Sequence, residues 1–248
     1  MMDAAEKKRD ESSTATASVA DELVRMILGQ MVPGASLPSE AELAVQHGVS
    51  RVTVREAVKM VAGRGLLDLA RGRRAVVKEP DASALGEFIS FVVQNDRRGV
   101  FDLVEVRLSL EVQAAGLTAA RADRAALAAI ESCLMAMRAA QAPDGSEDEQ
   151  AFHEADAGFH AAIAEASGNR ILISLFAAMA PALRRSFYMS RRGRQLRGQT
   201  MEHTLHAHQR IFECIAARDV AGAEAAMRVH LSDAARDMRA ALDEPRAI

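Results

Sequence analysis

Three observations point to a mainly α-helical chain in two parts, a winged helix-turn-helix domain followed by an all-helical bundle. Residues 37 to 63 carry two short helix signals on either side of Gly48. A hairpin signal, Leu66 to Val77, follows directly. From about residue 82 onward, apolar residues recur at helical spacing with no convincing strand pattern. Composition agrees with this division. Apolar residues make up 49% of the 248-residue chain, but aromatics only 4%, with no Trp. The cores must therefore be built from Ala, Leu, Val, Ile and Met, a usage that favours helices.

Residues 1 to 17 are polar and rich in Ser, Thr, Ala and charge, the signature of a disordered tail. Residues 18 to 31 form a first helix with Val19, Leu23, Met26 and Ile27 on one face, closed by Val32-Pro33-Gly34. In the stretch from Leu37, Ser39 is followed three residues later by Glu42, the spacing of a capping box. Gly48 ends that short helix as a left-handed cap. Ser50 caps a second helix, whose first turns carry Arg51, Thr53, Arg55 and Lys59, while Val54, Val58 and Val61 keep one apolar face. Two short helices joined by a Gly-containing turn, with Arg and Thr opening the second, suit a DNA-reading element; a helical hairpin with a solvated basic face would look the same. Leu66, Leu67 and Leu69 then read as a strand, Arg71 to Arg74 as a basic turn, and Ala75 to Val77 as the returning strand. Glu79-Pro80-Asp81 marks the end of the domain, because Pro continues neither a ladder nor a helix interior. The expected organisation is a tail at 1–17, a winged domain at 18–78, a linker at 79–84 and a helical domain at 85–242.

Charge follows the same boundary. The chain carries a net charge of −3, yet residues 18 to 78 hold nine Lys/Arg against six Asp/Glu. Residues 79 to 248 hold 19 against 24. The positive part coincides with the helix-turn-helix, as attraction to phosphate requires. Cys133 and Cys214 form no CxxC pair and lie in apolar helical patterns, which fits reduced thiols and a cytoplasmic location. No apolar run approaches the roughly 20 residues that span a membrane.

In the second part, helical patterns cover 82–95, 100–121, 123–141, 148–167, 170–191, 199–218 and 220–242, about seven helices. Breaks fall at Asn95, Asp123, Pro143-Asp144-Gly145, Gly168-Asn169, Gly193 and Asp219, and Pro181 lies inside a helix. Four polar residues sit on apolar stripes. Asp156 and His160 are four apart on the stripe Phe152, Phe159, Ile163 and so project together. His208 falls within Met201, Leu205, Ile211, Ile215, and His230 within Met227, Leu231, Met238. Buried polar groups need partners. Three imidazoles and a carboxylate satisfy one another poorly by hydrogen bonds and suit a divalent ion such as Zn²⁺, Ni²⁺ or Mn²⁺. Arg107 also lies on an apolar stripe and needs an anion, either a bound carboxylate or Glu111 at i+4. Asn169 fits either a pocket wall or a helix cap. The arginines at 184, 185, 191, 192, 194 and 197 have the pattern of a solvated face, with an anion-binding edge or subunit interface as the alternative.

The runs LPSE at 37–40, SRVTVREA at 50–57 and GLLDLARGRRAVV at 65–77 resemble GntR-type bacterial regulators. The texts D-AGF-H at 156–160, GN at 168–169, HQRIFECIAARD from His208 and MRVHL ending at Leu231 resemble the metal-containing FCD domain of the FadR subfamily. The resemblance implies a homodimer that binds double-stranded operator DNA, most commonly as a repressor released by a small organic acid. It places Arg51 and Arg55 on DNA with Ser50 and Thr53 in support, and brings Gly72, beside Arg73, to the minor groove. It makes Asp156, His160, His208 and His230 the metal ligands and puts Arg107 near the effector. Two positions depart from the family pattern, Ala41 where Arg is usual and Arg74 where a second wing Gly is usual. A metal-responsive regulator is the alternative. An enzyme is disfavoured, because no separate general base stands beside the metal set and the helix-turn-helix would be left without a role.

Overall fold

The computed structural model describes residues 4–79, 81–96, 98–141 and 148–243, with side chains from residue 14 onward except those of 184–186 and 188. Pro80 and the expected break at Pro143-Asp144-Gly145 lie outside the described residues, as do the side chains of Arg184 and Arg185. The chain divides into two compact units, Met1–Asp81 and Ala82–Ile248.

The first unit holds α1 (Ala4–Gln30), α2 (Glu40–His47), α3 (Arg51–Gly63), β1 (Leu67–Asp68) and β2 (Val76–Val77). Helix α1 begins at Ala4 and so runs through residues 4–17, the segment whose composition suggested a disordered tail. The cause is local. Ala4-Ala5-Glu6-Lys7-Lys8-Arg9 are helix formers, and nothing between them and Val19 breaks a helix. The capping box at α2 is complete. The Ser39 amide donates to Glu42 Oε2 at 2.7 Å, and the Glu42 amide donates to Ser39 Oγ at 3.2 Å. Gly48 closes α2 at φ +66°, a conformation that costs other residues energy. Strands β1 and β2 pair antiparallel, Leu67 opposite Val77. Leu23, Leu37, Leu43, Val54, Ala57 and Val61 form the core beneath them.

The second unit holds α4 (Ser83–Asn95), α5 (Gly99–Arg121), α6 (Arg124–Ala139), α7 (Glu149–Ala166), α8 (Arg170–Leu196), α9 (Met201–Ala216) and α10 (Val220–Asp243). Because α4 starts at Ser83, the linker expected at 79–84 is shorter at its C-terminal end. Helix α10 packs on α5, α8 and α9, while α7 packs on α5, α6 and α8. Phe152, Phe159, Ile130, Ile211, Ile215 and Met227 fill the space between them. Helix α8 does not break at Gly193 but runs on to Leu196. A Cβ at Gly193 would fall 1.6 Å from the Asp237 carbonyl oxygen. This glycine therefore lets the backbones of α8 and α10 meet, and Gly198, at φ +68°, sits in the turn beyond the helix.

Candidate functional site

The first unit presents an exposed polar surface at the start of α3. Ser50 caps the helix, its Oγ accepting from the Thr53 amide at 3.1 Å and lying 2.8 Å from Thr53 Oγ1. Arg51 and Arg55 are exposed on the first two turns. The Arg55 guanidinium pairs in a fork with Glu40 of α2, Nη2 to Oε2 at 2.7 Å and Nε to Oε1 at 3.0 Å. This pair lowers the Glu40 carboxyl and raises Arg55. Gly72, at φ +74°, makes the tip of the β1–β2 hairpin, with Arg73 next to it. Arg74 lies 3.8 Å from Glu42.

The second unit brings the four polar residues of the apolar stripes together. Asp156 and His160 come from α7, His208 from α9 and His230 from α10, all buried. One ligand atom from each lies within 4.8 Å of every other. His208 Nε2 is 2.8 Å from Asp156 Oδ1. His160 Nε2 is 3.4 Å from His208 Nε2 and 3.2 Å from His230 Nε2. A tetrahedral ion with bonds of about 2.0–2.1 Å separates its ligand nitrogens by about 3.3 Å, so these three pairs are near the spacing of a coordination shell.

Contacts on the far side of two of the rings strengthen this fit. His208 Nδ1 lies 2.8 Å from the Thr204 carbonyl oxygen, a contact that requires the proton on Nδ1. His160 Nδ1 lies 2.5 Å from Glu111 Oε2, an ion-pair contact without hydrogen-bond geometry that nonetheless favours a proton on Nδ1. In the neutral rings both Nε2 atoms then point lone pairs at each other and at Asp156. A single proton relieves one such clash, whereas a divalent cation relieves all of them. Glu111 is itself held by Arg107, whose Nε donates to Oε1 at 2.5 Å. Burial would raise the Glu111 carboxyl, but Arg107 and then His160 pull it down to about 2. Burial would raise Asp156 too, and the facing His208 instead holds it well below the usual carboxylate range. His230 is pushed far down by burial and then by His208 and His160, so its ring is neutral and ready to bind metal.

A cavity of about 50 Å³ adjoins Asp156, His160 and His230, with Arg107, His153, Phe187, Arg194 and Thr204 also in its wall. Arg107 forms the buried pair with Glu111 and also lines the cavity. Arg194 is only 6% exposed, and its Nη1 donates to Thr204 Oγ1 at 2.6 Å. Among the arginines expected to be solvated, this one turns inward. Asn169, in contrast, caps α8 by accepting from the Ile171 and Leu172 amides at 3.2 and 3.3 Å, and it lines neither this cavity nor its larger neighbour.

The family model for bacterial regulatory proteins of the gntR family matches residues 15–77, and the FCD domain model matches residues 102–233. The chain is 32% identical over 206 residues to the HTH-type transcriptional regulator LutR of Bacillus subtilis, a match covering 83% of this chain and 92% of that one. The chain belongs to the GntR family and carries an FCD domain. This GntR-family chain is also 30% identical to the galactonate operon transcriptional repressor of Escherichia coli K12, over 87% of its own length and 92% of that protein's. Among solved structures, Streptococcus agalactiae GntR superposes with a TM-score of 0.69 at 26% identity, covering 89% of this chain and 99% of that one. These relatives are transcriptional regulators, in agreement with the choice of a regulator over an enzyme. The helix-turn-helix is accordingly a DNA-binding element, and the FCD unit an effector-binding one. Among the described residues, no helix is long and apolar enough to cross a membrane.

The sequence pattern had singled out Arg107 and the four converging residues. It missed Arg194, whose only signal was its place in a run of arginines. It also missed Glu111 as the partner of His160, although Glu111 stands four residues from Arg107.

Proposed function

We propose that this GntR-family chain acts in the cytoplasm as a homodimeric repressor whose hold on its operator is controlled by a small carboxylate or sugar acid bound at a divalent metal. The convergence of Asp156, His160, His208 and His230 beside a cavity walled by Arg107 and Arg194 carries this reading. Zn²⁺ suits three imidazoles and one carboxylate best, with Ni²⁺ or Mn²⁺ as substitutes. When bound, the metal supplies a Lewis-acid centre for the effector's carboxylate oxygens. Arg107, fixed by Glu111, and Arg194, fixed by Thr204, add positive charge along the cavity wall. On the DNA side, Arg51 and Arg55 of α3 read the major groove, with Ser50 and Thr53 holding the first turn in place. Gly72, with Arg73 beside it, brings the tip of the wing to the minor groove. A dimer would place two such units on half-sites about 34 Å apart, one helical turn. Effector binding alters operator affinity only by favouring one arrangement of the two winged units over another, with a coupling of about 5- to 150-fold.

Metal analysis of the purified protein, followed by operator binding with and without a panel of small carboxylic and sugar acids, tests the reading. About one metal per chain and operator release by one acid class are expected. Metal-free protein that ignores every acid would overturn it. Operator release that follows metal addition or chelation alone would instead make the ion the effector.

A further inference from the structure

We infer that the effector of this chain is a carboxylate with an apolar tail, rather than a polyhydroxylated acid. The inference rests on the metal-and-carboxylate reading above and narrows the class of ligand. Two compartments adjoin His160. The polar one, walled in part by Asp156, His160 and His230, has a volume of about 50 Å³. That is about a third of an apolar cavity of about 150 Å³ that accepts benzene, so it holds a carboxylate with an adjacent hydroxyl and little more. The second compartment lies between α7 and α8 and has a volume of about 890 Å³. Its walls include Ala157, Ala161, Ile173, Phe176, Ala180 and Leu183.

The two compartments share Arg107, His153, His160 and Phe187 in their walls. His153 and Phe187 stack with ring centroids 5.7 Å apart and planes 17° from parallel. A ligand whose head reaches the metal through the small compartment therefore meets this stacked pair and then the apolar space. The charged residues of the larger compartment do not change its character. Glu154 and Glu165 are exposed at its rim, and Glu149 is already paired with Arg191. A hexonate too large for the small compartment would place its hydroxyls against Ala, Ile, Phe and Leu side chains, where they lose water without gaining partners. An alkyl or aryl tail gains in the same place. The small residues Ala157, Gly158, Ala161 and Ala164 on one side of α7 create this room.

The test is calorimetric titration of the metal-loaded full-length protein with lactate, 2-hydroxyhexanoate, 2-hydroxyoctanoate and galactonate. Affinity should rise by about fourfold per added methylene, and galactonate should bind no better than lactate. A flat series, or galactonate binding more tightly than 2-hydroxyoctanoate, overturns the inference while leaving a carboxylate effector in place. No binding by any of the four acids overturns both. The variants Ala157→Leu and Ala180→Leu fill the apolar space. Each should leave lactate affinity and metal content within about twofold while erasing the gain from chain length. If either fails to fold, the series on the unaltered protein decides alone.

Discussion

Two arginine–glutamate pairs, one in each unit, show how differently the same chemistry is used. Arg55–Glu40 joins α3 to α2 on the surface, and both side chains are more than a third exposed. Arg107–Glu111 lies within α5, with side chains 4% and 3% exposed. Water screens the first pair, so its net contribution to stability is small and Arg55 can exchange Glu40 for a phosphate or a base at little cost. The second pair has no water to fall back on, and Glu111 also holds His160. Under the proposed function, the surface pair stores a recognition residue in a usable pose, whereas the buried pair fixes the wall beside the converging imidazoles.

The sharpest way to break the contrast is to remove one of the converging imidazoles. His208→Ala should drop metal content from about one ion per chain to background and abolish the effector response. Operator binding in the absence of effector should remain, because the winged unit has its own core. Elemental analysis and an operator-binding assay on the same sample read both outcomes. Full metal occupancy in this variant would show that the ligand set is wrong.

Next in size is Glu111→Ala, which leaves Arg107 buried without its carboxylate and His160 without the acceptor that orients it. Removing one partner of a buried pair costs about 3–5 kcal/mol. Urea unfolding should show a loss of that order, together with weaker metal binding. Acid unfolding reports the same network. The Glu111 carboxyl is depressed from 4.5 to about 2 in the folded protein, so its contribution is complete above pH 4.5 and is lost as pH falls toward 2. His230 adds a window at higher pH. Below its ordinary 6.5 the unfolded chain takes up a proton that the buried ring refuses. Metal-free protein should therefore lose stability from about pH 6.5 downward, and a flat profile between pH 7 and pH 5 would contradict the burial of that ring.

Local chemistry explains what was legible in the residues alone. Ser39 with Glu42, Gly48 and Ser50 fix the helix-turn-helix through contacts within a few residues, and each appears in the structure where the spacing put it. Asp156 and His160 were legible for a similar reason, since four residues on one helix fix their common direction. Arg194 was not. Its inward position depends on α8 continuing past Gly193, and that depends on the Asp237 backbone lying against a glycine from another helix. Gly193 permits that contact, but its partner Asp237 lies 44 residues further along the chain. Residues 4–17 are the opposite case, because the helix formers Ala4 to Arg9 stand beside Ser and Thr, which favour irregular backbone, and α1 runs through both.

On the surface side of the comparison, Arg55→Ala should weaken operator binding by roughly tenfold, as expected for one Arg contact to a base, with no change in metal content. Glu40→Gln separates storage from recognition. It frees Arg55 without removing it, so operator affinity should change by less than about threefold. A loss in Glu40→Gln as large as in Arg55→Ala would mean that the Glu40 carboxylate fixes the only pose in which Arg55 reads DNA.

The smallest effect concerns Asn169, which the sequence left between an effector contact and a helix cap. Its Oδ1 accepts from two amides at the start of α8, and its side chain lines neither compartment. Losing such a cap costs about 1 kcal/mol. Asn169→Ala should therefore lower the urea midpoint slightly and leave effector affinity unchanged, while Asn169→Asp, which keeps an acceptor at the cap, should recover the stability. A drop in effector affinity in the Ala variant, unaccompanied by loss of stability, would move Asn169 from the scaffold to the binding site. Such a result would also place part of the ligand at the N-terminus of α8, away from the His153–Phe187 stack.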